Sequence, residues 1–223
     1  MKRFTILAPM MALAAACQQP AFAAEKTVRA PAAETFVRED GGLKTAIFAG
    51  GCFWGVEGVF SHMKGVKSVI SGYHGGGKDT ASYSKIGSGD TGHAEAVKVT
   101  YDPSLVRYDQ LLRVFFSVIN DPTQLNRQGP DVGSQYRSAL VPLNAAQRKV
   151  AASYLKELQS SGVWGGRIVT KIESPKTFYP AEAYHQDFMK KNPSHPYIQR
   201  WDKPKLEALR SMYPGYYSAS YAG

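Results

Sequence analysis

Leu43-Lys44-Thr45-Ala46-Ile47-Phe48-Ala49-Gly50-Gly51-Cys52-Phe53-Trp54-Gly55 reads as a strand that runs into a helix through two glycines. Leu43 to Ala49 is mostly apolar and short, as a buried strand is. Gly50-Gly51 permits a turn that side chains with a Cβ resist. A short helix is expected from Phe53 to His62, and Gly65 closes the unit. Val66 to Tyr73, β-branched and bounded by glycine, reads as the second strand.

Beyond that unit, Gly75-Gly76-Gly77 through Gly92 is a long Gly/Ser-rich loop with a possible short strand at Ser82 to Ile86. Loops of that length usually carry function or lack order. Ala94 to Tyr101 alternates: Glu95, Val97, Val99 and Tyr101 share one face, and Ala96, Lys98 and Thr100 the other. Asp102-Pro103 stops it. Tyr108 to Ile119 has the apolar stripe of a helix, in Leu111, Leu112, Phe115, Phe116 and Ile119. Tyr136 to Val141 is a further strand. Asn144 caps a long helix, with Gln147 in the capping-box position, that ends near Ser160 before Gly162. A strand is expected from Arg167 to Ile172, a helix from Pro180 to Lys190, and a last helix from Lys205 to Met212. The early order β-α-β-β-α-β predicts an α+β fold: a two-layer sandwich with a ferredoxin-like (split β-α-β) core, plus additional helices and long loops.

With 223 residues, 43% of them hydrophobic, the chain can bury one sizeable core and does not require two. Lys2 and Arg3, the apolar stretch Ile6 to Ala16, and Ala21-Phe22-Ala23 have the layout of a secretory signal cleaved before Ala24. The expected organisation is therefore a signal peptide over 1–23, a flexible Ala/Pro-rich segment over 24–42, a single catalytic domain over 43–212 and a C-terminal tail over 213–223. Export, residence in a periplasm in the bacterial manner, and no stable membrane insertion after cleavage follow from that leader. A lipoprotein formed through Cys17, after Ala14-Ala15-Ala16, is the minor alternative. Of the two cysteines, cleavage leaves only Cys52. A lone cysteine in an oxidising compartment is a reactive thiol, an inert buried one, or half of an intermolecular bond. The charge of +9 is scattered, without the basic patch or module that nucleic-acid binding needs.

Cys52 sits at a strand-to-helix turn, where unpaired backbone N–H groups and the helix dipole favour a thiolate. Glu95 is the second chemical clue. If its strand face is the core, the carboxyl is kept protonated and can act as an acid near neutral pH; if the alternation is misleading, it is a surface carboxylate. Phe53 and Trp54 are either core packing or an apolar wall suited to a methyl or thioether. Tyr83 and Tyr136 can offer phenolic hydrogen bonds or be rim residues. Asp131 reads equally as a turn residue and His185 as a surface histidine. The five histidines show no metal-ligand spacing, and no glycine motif has a nucleotide-binding pattern.

Gly50-Gly51-Cys52-Phe53-Trp54-Gly55 closely resembles the signature of the peptide methionine-sulfoxide reductase A family. Further blocks agree in order: Gly72-Tyr73, Thr91-Gly92-His93-Ala94-Glu95, Tyr101-Asp102-Pro103, Asp121-Pro122-Thr123-Gln124, Gln128 to Ser138, and Phe178 to Gln186. The resemblance implies reduction of the S epimer of methionine sulfoxide, free or in oxidised proteins, without metal or bound cofactor. It implies that the Cys52 thiolate attacks sulfur and that Glu95 protonates the oxygen. Tyr83 and Tyr136 would hold that oxygen, Phe53 and Trp54 would receive the methyl group, and Asp131 and His185 would contact the substrate backbone. Cys52 would become a sulfenic acid, which an external thiol resolves: a thioredoxin-like or glutaredoxin-like protein or a small thiol. The chain departs from common members in having no cysteine in 192–223, in Asn120 where a His is common, in Phe188 where a Tyr is common, and in His74. A thiol peroxidase and a non-catalytic periplasmic binding module are the alternatives, and neither requires an acid at Glu95.

Overall fold

The computed structural model describes residues 27–39 and 41–222. The expected leader and Cys17 lie outside the described residues. The elements are β1 (Lys44–Gly50), α1 (Phe53–Ser61), β2 (Val66–His74), α2 (Tyr83–Ile86), β3 (Ala94–Tyr101) and α3 (Tyr108–Val114). They continue with the ribbon β4 (Arg127–Gln128) and β5 (Asp131–Val132), then β6 (Ser138–Val141), α4 (Ala145–Ser161), β7 (Lys171–Ile172), β8 (Phe178–Pro180), α5 (Phe188–Lys191) and α6 (Lys203–Met212).

Six strands form one sheet in the order β7-β6-β1-β3-β2-β8. Among the described residues only the β6–β7 pair is parallel. β3 lies between β1 and β2 and is antiparallel to both, the split β-α-β arrangement that the element order implied. Alternation along β3 places Glu95, Val97, Val99 and Tyr101 on the face that α1, α3 and α4 cover, all of them buried. Phe48 of β1 shares that face. Its ring lies 4.9 Å from Phe60 of α1 and 5.5 Å from Phe115. Truncating a buried Phe costs about 3–5 kcal/mol, a large part of the ~5–15 kcal/mol that holds a typical domain. That ring cluster anchors β1, and with it the turn that follows.

Several elements differ from expectation, each for a local reason. Ser82 to Ile86 is not a strand: Ile86 N–H bonds back to Ser82 C=O as one helical turn, while the outer edge of β2 is already paired with β8. Of Arg167 to Ile172 only the last two residues join the sheet. Pro180 ends a strand and begins no helix. After it, the Gln186 side chain bonds both Ser71 N–H and Ser71 C=O in the manner of a peptide, and Asp187 is left-handed at φ 55°, so helix starts only at Phe188. α3 passes into a π-helical turn over Phe115–Ile119. Asn144 caps α4 by accepting from Gln147 N–H, but Gln147 Oε1 accepts from Leu143 N–H, one residue before the cap.

The two flanks expected to lie outside the domain are laid on it where they are described. Val28 N–H and Ala30 N–H both donate to Ser117, and Ala30 is fully buried. At the other end, Tyr213 packs in the core, and Ser218 and Ala222 donate to the last carbonyls around the end of α1, on His62 and Ser61. Such contacts hold the described parts of the Ala/Pro-rich segment and of the tail against the domain. No helix among the described residues is long and apolar enough to cross a membrane.

Candidate active site

Cys52 is the N-cap of α1 and is half-buried. The turn before it is tight for a steric reason. A Cβ on Gly50 would lie 2.6 Å from the Phe115 ring, and one on Gly51, at φ +92°, 2.5 Å from Gln128 Cβ. Gln128 is held from behind: Asn120 Nδ2 donates to its Oε1 at 2.6 Å, and Ser138 Oγ donates to Asn120 Oδ1 at 2.7 Å. Asn120, at the position where a His is common, is therefore a buried brace of the turn.

Glu95 is 1% exposed, and its Oε2 accepts the Phe53 backbone N–H at 3.0 Å. Burial lifts its pKa to about 8; the Phe53 N–H opposes the rise, and the nearby Asp131 and Asp202 add to it. The group is thus a neutral acid at pH 7. The Cys52 thiol is also pushed well up, by burial first and then by Glu95, Asp202 and Asp131, against the Trp54 N–H. Desolvation and the nearby carboxyls thus oppose the thiolate that the helix terminus was expected to favour, and the Trp54 N–H supports it.

The aromatic residues form a wall. Trp54 stacks flat on Phe188 at 3.7 Å and meets the Tyr197 ring edge-on at 5.7 Å. Trp54 Nε1 donates to His185 Nδ1 at 3.1 Å. His185 is buried, burial lowers its pKa, and the Trp54 bond fixes the neutral ring with its proton on Nε2. Phe53 is buried between the His185 and Tyr73 rings, at 5.0 and 5.9 Å.

Tyr83 starts α2, 39% exposed, with its ring 4.4 Å from that of His185. Tyr136 ends a 3-10 turn over Ser134–Tyr136. Burial raises both phenols, and Glu95, Cys52 and Asp131 raise both further, so both phenols lie within electrostatic reach of the same three groups. Asp131, in β5, accepts a hydrogen bond from Tyr197 OH. All eight residues singled out from the sequence thus lie in one neighbourhood.

Two members of it escaped sequence reasoning. Tyr197 closes the Trp54 wall and orients Asp131. Asp202, fully buried, sets its carboxyl against Gly55 of α1 so closely that a Cβ there would collide with it. Gly55 inside a helix was the available signal, since glycine there marks close approach of another group. Tyr197 carried none beyond following His195-Pro196. Among the described residues, no three His, Cys, Asp or Glu side chains are grouped so that they could hold a metal ion.

A half-buried sulfur, a neutral carboxylic acid, two phenols and an aromatic wall suit reduction of a small polar S=O or O–O group beside an apolar substituent. Comparison with known proteins narrows that. A family model described as peptide methionine sulfoxide reductase matches residues 44–215. The chain is 56% identical over 177 residues to peptide methionine sulfoxide reductase MsrA 2 of Mesorhizobium japonicum, covering 79% of this chain and 91% of that one. It is 48% identical over 172 residues to the MsrA 2 of a Synechocystis species, covering 77% and 80%. Among solved structures, reduced Mxr1 from Saccharomyces cerevisiae superposes with a TM-score of 0.61 at 36% identity, over 73% of this chain and 92% of that one. Methionine sulfoxide reductase A of Corynebacterium diphtheriae superposes with 0.59 at 32% identity, over 77% and 89%.

Proposed function

The chain belongs to the peptide methionine sulfoxide reductase family and reduces methionine sulfoxide; from that premise we propose that Cys52 is the nucleophile, Glu95 the proton donor, and the S epimer, in proteins and free, the substrate. The observation that carries the assignment is Glu95: a carboxyl buried in the helix-covered core, bonded to the residue after Cys52, and neutral below about pH 8.

A sulfoxide oxygen leaves poorly until it is protonated. Oε2 of Glu95 accepts the Phe53 N–H, so the acidic proton belongs on Oε1. As Cys52 sulfur bonds to the substrate sulfur, Glu95 gives that proton to the oxygen, and the thiol proton passes to the carboxylate so formed. The oxygen then moves to Cys52. One thiol and one sulfoxide thus become one sulfenic acid and one thioether, with the substrate sulfur reduced and the Cys52 sulfur oxidised by the same two electrons. Tyr83 and Tyr136 hold the oxygen, which stabilises its charge as it develops. Trp54 and Phe53 pack the methyl group, and Asp131 and His185 meet the substrate backbone.

The sulfenic acid condenses with an external thiol, thioredoxin-like, glutaredoxin-like or small, and a second thiol then releases Cys52. Cys17 is the only other cysteine, and residues 1–23 direct export to the periplasm in this reading. The supporting features are Lys2-Arg3, the apolar Ile6 to Ala16 and Ala21-Phe22-Ala23.

Single-turnover release of methionine from the pure S and R sulfoxides tests the assignment. The S epimer is expected to react, Cys52→Ser to be inert, and Glu95→Gln to be slower by about 10²–10⁴. Turnover by Cys52→Ser, or equal rates for both epimers, would overturn it. An intramolecular disulfide in the oxidised protein, two hydrogens lighter, would overturn the external thiol. A secreted form that does not begin at Ala24 would overturn the leader.

A further inference from the structure

Arg137 follows Tyr136 directly, and its guanidinium makes more hydrogen bonds than its own segment needs. Nη1 donates to Ser134 C=O at 3.1 Å, closing the turn that ends in Tyr136. Nη2 donates to Gly92 C=O at 3.1 Å, three residues before Glu95. Nε and Nη2 grip Glu173 at 2.7 and 3.2 Å. One planar group thus ties the turn carrying a phenol to the chain entering the strand that carries the acid.

The anchor for that fork is itself held. Glu173 follows β7, and its N–H donates to Leu140 C=O of β6. Its Oε2 lies 3.6 Å from Nδ1 of His74, the last residue of β2, whose Nε2 accepts Lys176 N–H at 3.1 Å. His74 is in register with Ala94, beside Glu95. The joint admits no added bulk: a Cβ on Gly75 would lie 2.6 Å from Gly92 O and 2.7 Å from Arg137 Nη2. Burial opposes ionisation of Glu173, but the hydrogen bonds from His74 and Arg137 win and hold its carboxyl at about 2, so the pair stays ionic throughout the working range.

Net stability is a poor explanation for this device. Arg137 is 14% exposed, and a largely buried ion pair adds little over apolar packing. What the fork does supply is direction, because its donors are fixed in a plane. We infer that Arg137, anchored by Glu173 and His74, is a positioning residue that sets the placement of Tyr136 relative to Glu95 for the chemical step. This rests on the roles proposed above for those two residues. Arg137 itself touches no reacting atom.

Arg137→Lys keeps the charge and loses the fork; Arg137→Ala leaves room for added methylguanidinium; Glu173→Gln loosens the anchor while keeping its shape. Misplacement on the order of 1 Å costs up to about 100-fold in rate. The maximal single-turnover rate of Arg137→Lys is expected to fall by about that factor, with apparent substrate affinity changing less than about threefold. Glu173→Gln is expected to fall about tenfold. Millimolar methylguanidinium is expected to restore Arg137→Ala several-fold. The alkylation rate of Cys52, on the other side of the site, is expected to stay at the wild-type value in all three. Rates within twofold of wild type in Arg137→Lys and Glu173→Gln would overturn the inference. So would losses that fall equally on affinity and Cys52 alkylation, or no rescue of a folded Arg137→Ala. Glu95→Gln and Tyr136→Phe, measured alongside, separate the two levels. If they react normally, the underlying roles are wrong; if they fail and the Arg137 variants do not, only the positioning is.

Discussion

The Phe53 amide and the Glu95 carboxyl are joined by a 3.0 Å hydrogen bond, so the buried acid is held by the residue that follows Cys52. The bond lowers the carboxyl pKa and burial raises it, and burial wins, leaving it at about 8. The ordinary value is 4.5. Glu95 is therefore protonated below about 8 and loses its proton above. The single-turnover rate is expected to hold up to that pH and then fall about tenfold per unit, while Glu95→Gln follows no such limb. A wild-type rate that climbs through pH 8 would show that the thiolate, not the acid, limits the step.

Trp54 combines a flat stack on Phe188 with a hydrogen bond to His185. Trp54→Phe keeps a ring and removes the donor. It is expected to lower kcat/KM about 10-fold or more, through KM and with kcat little changed, because the wall is present in both bound and transition states. Steady-state kinetics with free methionine sulfoxide, with dithiothreitol as reductant, measure it. A loss confined to kcat would refute the wall as a binding surface.

Gly51 combines φ +92° with a position where an added Cβ would lie 2.5 Å from Gln128 Cβ. Gly51→Ala must strain the backbone and displace the brace, at about 2 kcal/mol or more. Urea unfolding should register that loss, together with slower reaction of Cys52. Unchanged stability would mean that the turn can adopt another path.

Much of this was legible before any coordinates. β1, α1, β2 and β3 announce themselves because apolar period, glycine and length agree; the same period set Glu95 on one face with Val97 and Val99 but left open whether that face was the core, which burial under the helices decides. What could not be read was set by side chains distant in sequence. The segment from Pro180 has helical composition, yet Gln186 binds the Ser71 backbone and Asp187 takes a left-handed turn. Cys52 has the position of an activated thiol, but the carboxyls that oppose ionisation include Asp131 and Asp202, which only the tertiary fold brings near. Asn120 departs from the family pattern in a way that gains meaning only with Gln128 and Ser138 beside it.

Glu57, on α1 after the nucleophile, is fully buried, with a pKa of about 7. Burial raises it, and the backbone of Asp187 and Phe188 and the Ser71 hydroxyl oppose the rise. Its folded pKa exceeds the ordinary 4.5, so its contribution favours the folded state most at low pH and is lost as pH rises from about 4.5 to 7. Glu57→Gln removes that penalty. Relative to wild type it is expected to gain ~2–3 kcal/mol at pH 8 and less than ~1 kcal/mol at pH 5. Paired urea titrations at the two pH values give the comparison, and an equal difference at both would contradict a buried titrating carboxyl.

The antiparallel register of β1 and β3, with Lys44 opposite Tyr101 and Phe48 opposite Val97, acts as a ruler for the chemistry. It brings the end of β1 and the start of β3 to the same end of the sheet. A slip of two residues would restore every side chain to its face and satisfy the ladder. It would also move Glu95 by about 6.6–6.8 Å along the strand that leads to Cys52, beyond any direct proton transfer. Such a chain would resemble the native one in helix content and compactness and yet be silent. Core residues such as Phe48 and Val97, which never meet substrate, thereby carry information about reaction distance. The fraction of correctly registered molecules is a quantity that active-site titration can count and that a melting curve can miss.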